Sequence, residues 1–311
     1  MRILVLGAGG TGGYFGGRLF QAGCDVTFLV RPKRAMALRQ HGLVIRSPIG
    51  DATLPVAVVE PAQHTADYDL VILSCKAYDL DDAIRTVKPA MQRPGAMLLP
   101  LLNGLAHYAA LDADFGHDAV LGGLCYISTT LTAAGEVQHM GRGASLTFGE
   151  RDARRALEDD RTARIATTFS PAAFESRHST DIAAAMWDKY AFLCAAAAIT
   201  CLMRASIGDI ASTPEGERLT RQMIAECEGV ACAEGFPSSA ATRESTQKTL
   251  TATGSPFKSS MLRDIEAGNR VEADHIVGDM LRRARARGVP APLLEAAFAH
   301  LKAYENARQR N

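Results

Sequence analysis

The 311-residue sequence predicts an α/β protein, with a doubly wound parallel sheet in its N-terminal part and an all-α domain after it. Three observations predict this class. Short apolar runs alternate with amphipathic stretches through the first half, as parallel strands joined by crossover helices require. The first of those runs ends directly in a glycine-rich turn. Strand signals stop after Phe174, and from Thr180 onward the pattern is almost wholly helical.

The elements follow in order. "RILVL" leads to a helix over Gly10–Ala22, "DVTFLV" to Pro32–His41, "DLVILS" to Leu80–Ala90 and "GAMLLP" to Leu105–Ala113, before a last run, "AVLGGL". Between Tyr126 and Phe148 the texture changes to short alternating segments, "GEVQHM" and "ASLTFG", which predict strands added at the far side of the sheet. A helix from Ala153 to Thr168 and a short strand near Phe174 close this part. The helical part is broken at Gly208, at Gly235 with Pro237, at Thr253–Pro256, at Ala267–Arg270 and at Gly288–Pro292. A chain of this length exceeds what one hydrophobic core usually holds, and the change of texture divides it into residues 1–178 and 179–311.

Bulk properties exclude several classes. Lys plus Arg number 34 and Asp plus Glu number 34, so no net field draws the chain to nucleic acid or to an anionic membrane surface. The arginines of "LRRARARG" spread around a helix and make no basic face. The longest apolar run, Tyr190–Met203, is shorter than the ~20 residues that span a bilayer and predicts a buried helix. Seven scattered cysteines without a C-x-x-C pair suit a reducing compartment, and the opening "MRILVLGAGG" lacks the regions of a signal peptide, so a cytoplasmic protein is expected. Eight histidines show no metal-ligand spacing, no metal is expected, and there is no G-x-S-x-G nucleophile elbow.

The glycine-rich turn carries chemistry. Gly7, Gly9 and Gly12 form G-x-G-x-x-G between a strand and a helix, with Ala8, Gly10 and Thr11 as the intervening residues. In that setting the first glycine permits the turn, the second lets a pyrophosphate reach the backbone, and the third lets helix and strand close, which predicts a dinucleotide site on a Rossmann-type sheet. The second strand ends "FLVRPKR", without the acidic residue that would hold a ribose 2′-hydroxyl. Arg31, followed by Lys33 and Arg34, would pair instead with a 2′-phosphate, so the expected cofactor is NADPH. Lys76 in "SCKAYD" and Asn103 in "LLNGL" lie just past two further strands, at the edge where such sheets bind ligands.

A second stretch, "MWDKYAFLCAAAAITCLMR", places Lys189 near the start of an otherwise apolar helix. Such a lysine either extends along its stem to water beside Asp188 or sits in a pocket where an ammonium is useful. Helix-start signals at Ser179 and Thr180 set it inside the helix and not at its tip. Cys194 and Cys201 on the same helix suit core packing.

On "GAGGTGG", Arg31, "CKAYD", Asn103–Gly104, the "WDK" ending at Lys189 and the long segment "SSMLRDIEAGNRVEADHIVGDMLRRARARGV" from Ser259 to Val289, the sequence resembles the ketopantoate reductase (2-dehydropantoate 2-reductase) family over almost its whole length. The resemblance implies NADPH-dependent reduction of a 2-oxo acid, ketopantoate to pantoate in pantothenate biosynthesis. It implies Lys189 as general acid, Asn103 and Glu272 near the nicotinamide end, Ser260 as a substrate ligand and Ser128 beside the cofactor. At Leu193 and Ala197, one and two turns after Lys189, the family resemblance implies asparagines that bind the substrate. Apolar side chains cannot supply those hydrogen bonds, so a less polar ketone or 2-oxo acid is an alternative substrate. A non-catalytic NADPH sensor and a 3-hydroxy acid dehydrogenase of the 6-phosphogluconate type are the other readings. Retention of Lys189, Ser260 and Glu272 opposes the sensor, and Leu193 opposes the dehydrogenase. The helical part would permit a homodimer.

Overall fold

The computed structural model describes residues 1–63, 67–152, 155 and 160–310. They form two compact units, Met1–Leu102 with Tyr108–Ile182, and Asn103–His107 with Ala183–Asn311.

The first unit is built on a parallel sheet. Strands β1 (Arg2–Leu6), β2 (Asp25–Leu29), β5 (Ala57–Val59), β6 (Leu70–Leu73) and β7 (Met97–Pro100) pair in the order β5-β2-β1-β6-β7. Every pairing is parallel, with Leu4 opposite Thr27 on one side and Val71 on the other. Continuous apolar sequence follows from burial on both faces, and β6 and β7 are buried along their whole length. Helices α1 (Gly10–Gln21), α2 (Pro32–His41), α3 (Leu80–Val87) and α4 (His107–Phe115) alternate with these strands, close to the expected spans.

The strands expected after Tyr126 do not extend this sheet. They are two long strands, β8 (Gly122–Leu131) and β9 (Val137–Gly149), antiparallel to each other in a second five-stranded sheet. A single bridge from Leu98 to Val120 joins the chain entering β8 to β7. The second sheet also takes in β10 (Glu175–His178) and two short strands that the pattern did not signal, β3 (Leu43–Arg46) and β4 (Ala52–Leu54). These last are three or four residues long and flank a turn, too short to show a period.

Helix α1 lies between the two sheets, which explains its run of glycines. A methyl group on Gly16 would come within 2.7 Å of Phe28 in the first sheet, and one on Gly17 within 2.7 Å of Ile45 in the second. The helix thus approaches both layers at backbone distance. Of the helix expected from Ala153, residues 153, 154 and 156–159 lie outside the described residues. Its described part is α5 (Arg161–Phe169). Arg161 at its start makes a buried two-point pair with Glu150, at 2.5 and 2.6 Å, and also donates to the Asp118 carbonyl at 2.7 Å.

The second unit is helical. Its helices are α6 (Ile182–Met203), α7 (Ile207–Ala211), α8 (Gly216–Ala233), α9 (Ala240–Leu250), α10 (Ser260–Glu266), α11 (Val277–Arg287) and α12 (Pro292–Arg310). By length and composition α6 could cross a membrane, yet 67% of its apolar window is buried inside the fold. It is a core helix. The break expected at Gly208 lies earlier: Arg204 takes a left-handed φ of 53° after α6, and Gly208 sits inside α7. Glycine is needed there because α7 lies against the backbone of Ser255, 2.5 Å from where a side chain would begin. Serines 206, 239 and 259 cap α7, α9 and α10 by accepting backbone N–H bonds, and Gly288 ends α11 in the left-handed conformation. At the start of α12 the buried Glu226 carboxylate accepts the N–H groups of Leu293 and Leu294, at 3.2 and 3.0 Å.

Breaking the Glu150–Arg161 pair takes away the carboxylate that meets a buried guanidinium at two points. Glu150→Ala is expected to lower the unfolding free energy by about 3 kcal/mol in a urea titration, and Glu150→Gln by less.

Candidate functional site

In the first unit the functional groups gather where β1 gives way to α1. Gly7 turns the chain at a φ of 92°, and Gly9 precedes the first helical residue without any side-chain cap. No acidic residue lies in the first turn of α1. The N–H groups of Gly10, Thr11 and Gly12 therefore carry the positive end of the helix, which has no acidic side chain of its own there. A methyl on Gly12 would meet Ser74 Oγ at 2.1 Å and the Gly7 carbonyl at 2.5 Å, so only glycine lets the helix close on its strand. Ser74 itself donates to the Leu6 carbonyl at 3.0 Å and braces the turn.

A cavity of about 330 Å³ opens beside this turn, lined by Gly7, Ala8, Gly9, Arg31, Arg34 and Asp82 among others. The two arginines differ. Arg31 is 69% exposed, with its guanidinium 3.6 Å from Asp79 and 3.4 Å from Asp82. Arg34 is half-buried and donates to the carbonyls of Ala8 and Gly135, each at 2.8 Å. Burial holds its guanidinium below the ordinary value. Lys76 follows β6, is exposed, and precedes the turn over Ala77–Asp79 that carries one of the partners of Arg31. Ser128 falls at an irregularity in the β8–β9 register, next to Thr129, whose hydroxyl lies 2.9 Å from where a side chain on Gly10 would begin. Both the glycine turn and Ser128 thus belong to one corner of this unit.

In the second unit Lys189 lies inside α6 and is 7% exposed. It does not reach outward beside Asp188. Its Nζ donates to Asn103 Oδ1 at 3.1 Å, while Asp188 accepts from Ser238 at 2.6 Å. The Asn103 loop is tightly held: Gly104 has a φ of 79°, and a side chain there would meet the His275 carbonyl at 3.1 Å. The next residue of α6, Tyr190, is buried and donates to the Ile276 carbonyl at 2.8 Å, with Asp279 Oδ2 at 3.0 Å. Burial pushes its phenol well above the ordinary value. Leu193 and Ala197 continue the face of Lys189, half-buried and buried.

Glu272 is half-buried in the link between α10 and α11, and its negative charge acts on His275. Ser260 is exposed in the first turn of α10, whose cap is the buried Ser259, held at 2.8 Å by Thr200. Two residues that sequence reasoning passed over belong to this neighbourhood, His107 and His275. His107 Nδ1 is 3.2 Å from His275 Nε2, and the rings stack at 5.4 Å with 17° between their planes. The two lie 168 residues apart, and no spacing rule links them. Cys201 is buried, which pushes its thiol up to about 12, in keeping with core packing.

A parallel sheet with an uncapped glycine turn, joined in one chain to a helical unit with a buried lysine–asparagine pair, defines the class of two-unit dinucleotide-dependent oxidoreductases. Residues 3–153 match the family described as ketopantoate reductase PanE/ApbA, and residues 181–305 match its C-terminal domain. The chain belongs to the ketopantoate reductase family. It is 39% identical over 305 residues to an uncharacterized oxidoreductase, YkpB, of Bacillus subtilis, covering 98% of this chain and 99% of the relative. It is 32% identical over 297 residues to the 2-dehydropantoate 2-reductase of Halobacterium salinarum, covering 94% and 95%. The crystal structure of 2-dehydropantoate 2-reductase from Methylococcus capsulatus superposes with a TM-score of 0.87 at 28% identity, covering 100% of this chain and 99% of that one.

Burial holds the His275 imidazole below its ordinary 6.5, against the raising effect of Glu272 and Asp279 and with a smaller lowering effect of Arg282. The unfolded chain therefore binds this proton first as the pH falls, so the contribution is fully present above 6.5 and is lost below it. Unfolding free energy measured between pH 8 and pH 5 is expected to fall with acid, and His275→Asn to flatten that slope.

Proposed function

We propose that the protein is an NADPH-dependent reductase of a 2-oxo acid, similar to 2-dehydropantoate 2-reductase, with Lys189 as proton donor. The observation that carries this reading is the burial of Lys189 with its ammonium on Asn103. A lysine kept only for solubility would extend to water.

The first unit fits the cofactor. The free N–H groups at Gly10, Thr11 and Gly12 suit a pyrophosphate, and the missing carboxylate at the end of β2, with Arg31 and Arg34 beside the cavity, suits a 2′-phosphate. Ala8, Gly9, Lys76, Ser128 and Glu272 are assigned to the same cofactor on the strength of the family resemblance. NADPH, when bound, supplies a hydride to the carbonyl carbon. As that carbon is reduced, negative charge grows on the carbonyl oxygen, where the Lys189 ammonium first stabilises it and then transfers a proton to give the alcohol. Asn103 orients the ammonium by accepting one of its protons. Glu272 and Ser260 complete the assigned set, as a contact near the nicotinamide end and as a substrate ligand.

A second reading concerns the substrate. Leu193 and Ala197 make the face beyond Lys189 apolar, which favours a 2-oxo acid or ketone with fewer hydroxyl groups than ketopantoate. Cytoplasmic location and a homodimer accompany these proposals.

Turnover with NADPH across a panel of 2-oxo acids and ketones tests them. Lys189→Ala is expected to lower kcat by a factor of ~10² to 10⁴ with the NADPH dissociation constant unchanged. Activity within a few-fold of wild type would remove Lys189 from the mechanism. Tight NADPH binding with no oxidation by any substrate would favour a sensor. By calorimetry, Arg31→Ala is expected to weaken NADPH binding by roughly 1.5–3 kcal/mol while leaving NADH binding nearly unaltered, and Arg34→Ala to weaken both, because Arg34 also holds the Ala8 carbonyl of the glycine turn.

A further inference from the structure

The loop that brings Asn103 to Lys189 is itself held by a pair of histidines. His275 packs on this loop: a side chain on Gly104 would begin 3.1 Å from the His275 carbonyl and 3.4 Å from its ring carbon Cδ2, and the Asn103 backbone raises the basicity of the ring as an accepting carbonyl does. Its Nε2 is 3.2 Å from His107 Nδ1, so we assign the bond to Asn103 to Nδ1. A neutral His275 that donates from Nδ1 must accept at Nε2, so His107 donates to it from Nδ1. His107 is fully buried and its ring lies flat on that of His275.

These bonds close a ring. Lys189 Nζ donates to the Asn103 side chain, the Asn103 carbonyl accepts from His275, the following carbonyl, that of Ile276, accepts from Tyr190, and Tyr190 is the neighbour of Lys189 in α6. An asparagine at the tip of a glycine turn has free rotation about two bonds and a mobile backbone. Tied on both its backbone and its side chain, it has one position. The histidine pair is no metal site, since among the described residues no group of three or more His, Cys, Asp or Glu is placed to hold an ion.

We propose that His275, backed by His107, is a positioning residue that fixes Asn103 and thereby sets the direction of the Lys189 ammonium. Its effect on turnover rests on Lys189 being the proton donor, whereas its effect on the Lys189 environment does not.

The test uses the full chain in three variants. His275→Phe keeps a ring and removes the donor, His275→Asn keeps an N–H near the place of Nδ1, and His107→Phe removes the support behind His275. Two readouts are taken, the NMR cross-peak of the Lys189 ε-methylene, assigned by its loss in Lys189→Arg, and steady-state kinetics with NADPH and the best substrate of the panel. The expected result is a displaced cross-peak and a kcat lower by about tenfold or more in His275→Phe, with KM for NADPH unchanged, and both restored to within about threefold in His275→Asn. His107→Phe is expected to act in the same direction and more weakly. A wild-type cross-peak and wild-type kcat in His275→Phe would overturn the proposal, as would equal losses in His275→Phe and His275→Asn, which would mark a packing role alone. Should His275→Phe fail to fold, His107→Phe decides: a displaced cross-peak supports the relay and a wild-type one overturns it. Should the wild-type protein reduce no substrate, the reductase reading falls while the cross-peak still judges the positioning.

Discussion

An ammonium group inside an apolar helix is the constraint around which the helical unit of this protein is arranged. Lys189 is 7% exposed in a helix whose later turns are almost all apolar, so its charge needs acceptors that α6 does not carry. Leaving such a charge without them costs several kcal/mol. The chain meets the need from far away in sequence, with the side chain of Asn103 at the end of β7. Five residues, Asn103–His107, consequently belong to the helical unit although both their flanks belong to the sheet unit. The glycine at 104 and the histidines at 107 and 275 follow from the same demand, because a loop that delivers one oxygen to one nitrogen has to be held still.

The sheet unit treats charge the opposite way. At the start of α1 it accumulates unpaired positive potential from the helix end and from Arg34, whose bonds run to carbonyl oxygens and whose burial lowers its basicity. Arg31 is softened by Asp79 and Asp82 across the cavity mouth. Positive potential at a helix end suits a polyphosphate ligand, and the acidic pair gives the exposed arginine a partner when no phosphate is there. The two units thus treat charge in two ways, positive potential at a helix end in one and a buried lysine–asparagine pair in the other.

Comparison of the residues with the fold shows which features a linear pattern carries. The glycine turn was legible because its demands are local: strand, turn and helix are adjacent in the chain, Gly7 is required by its φ of 92°, and Gly12 by contact with Ser74 and Gly7. The parallel strands were legible because burial on both faces writes an uninterrupted apolar run. The second sheet was only half legible, since β3 and β4 are too short to show a period and gain their stability from β9, some ninety residues further on. The break after α6 was misplaced for a similar reason, because Gly208 is required by a neighbouring backbone and not by a turn of its own.

By itself the sequence determined the alternation of strand and helix, the dinucleotide turn, the absence of an acidic residue at the end of β2, and the presence of a lysine in an apolar helix. Each of these is encoded by residues within a few positions of one another, where chain geometry alone dictates the outcome. Only the tertiary structure decided that the lysine turns inward, that Asn103 is its acceptor, and that two histidines 168 residues apart stand behind that asparagine. Those are choices among partners brought together by packing, and the energy that selects among them comes from excluding water, which no spacing along the chain records.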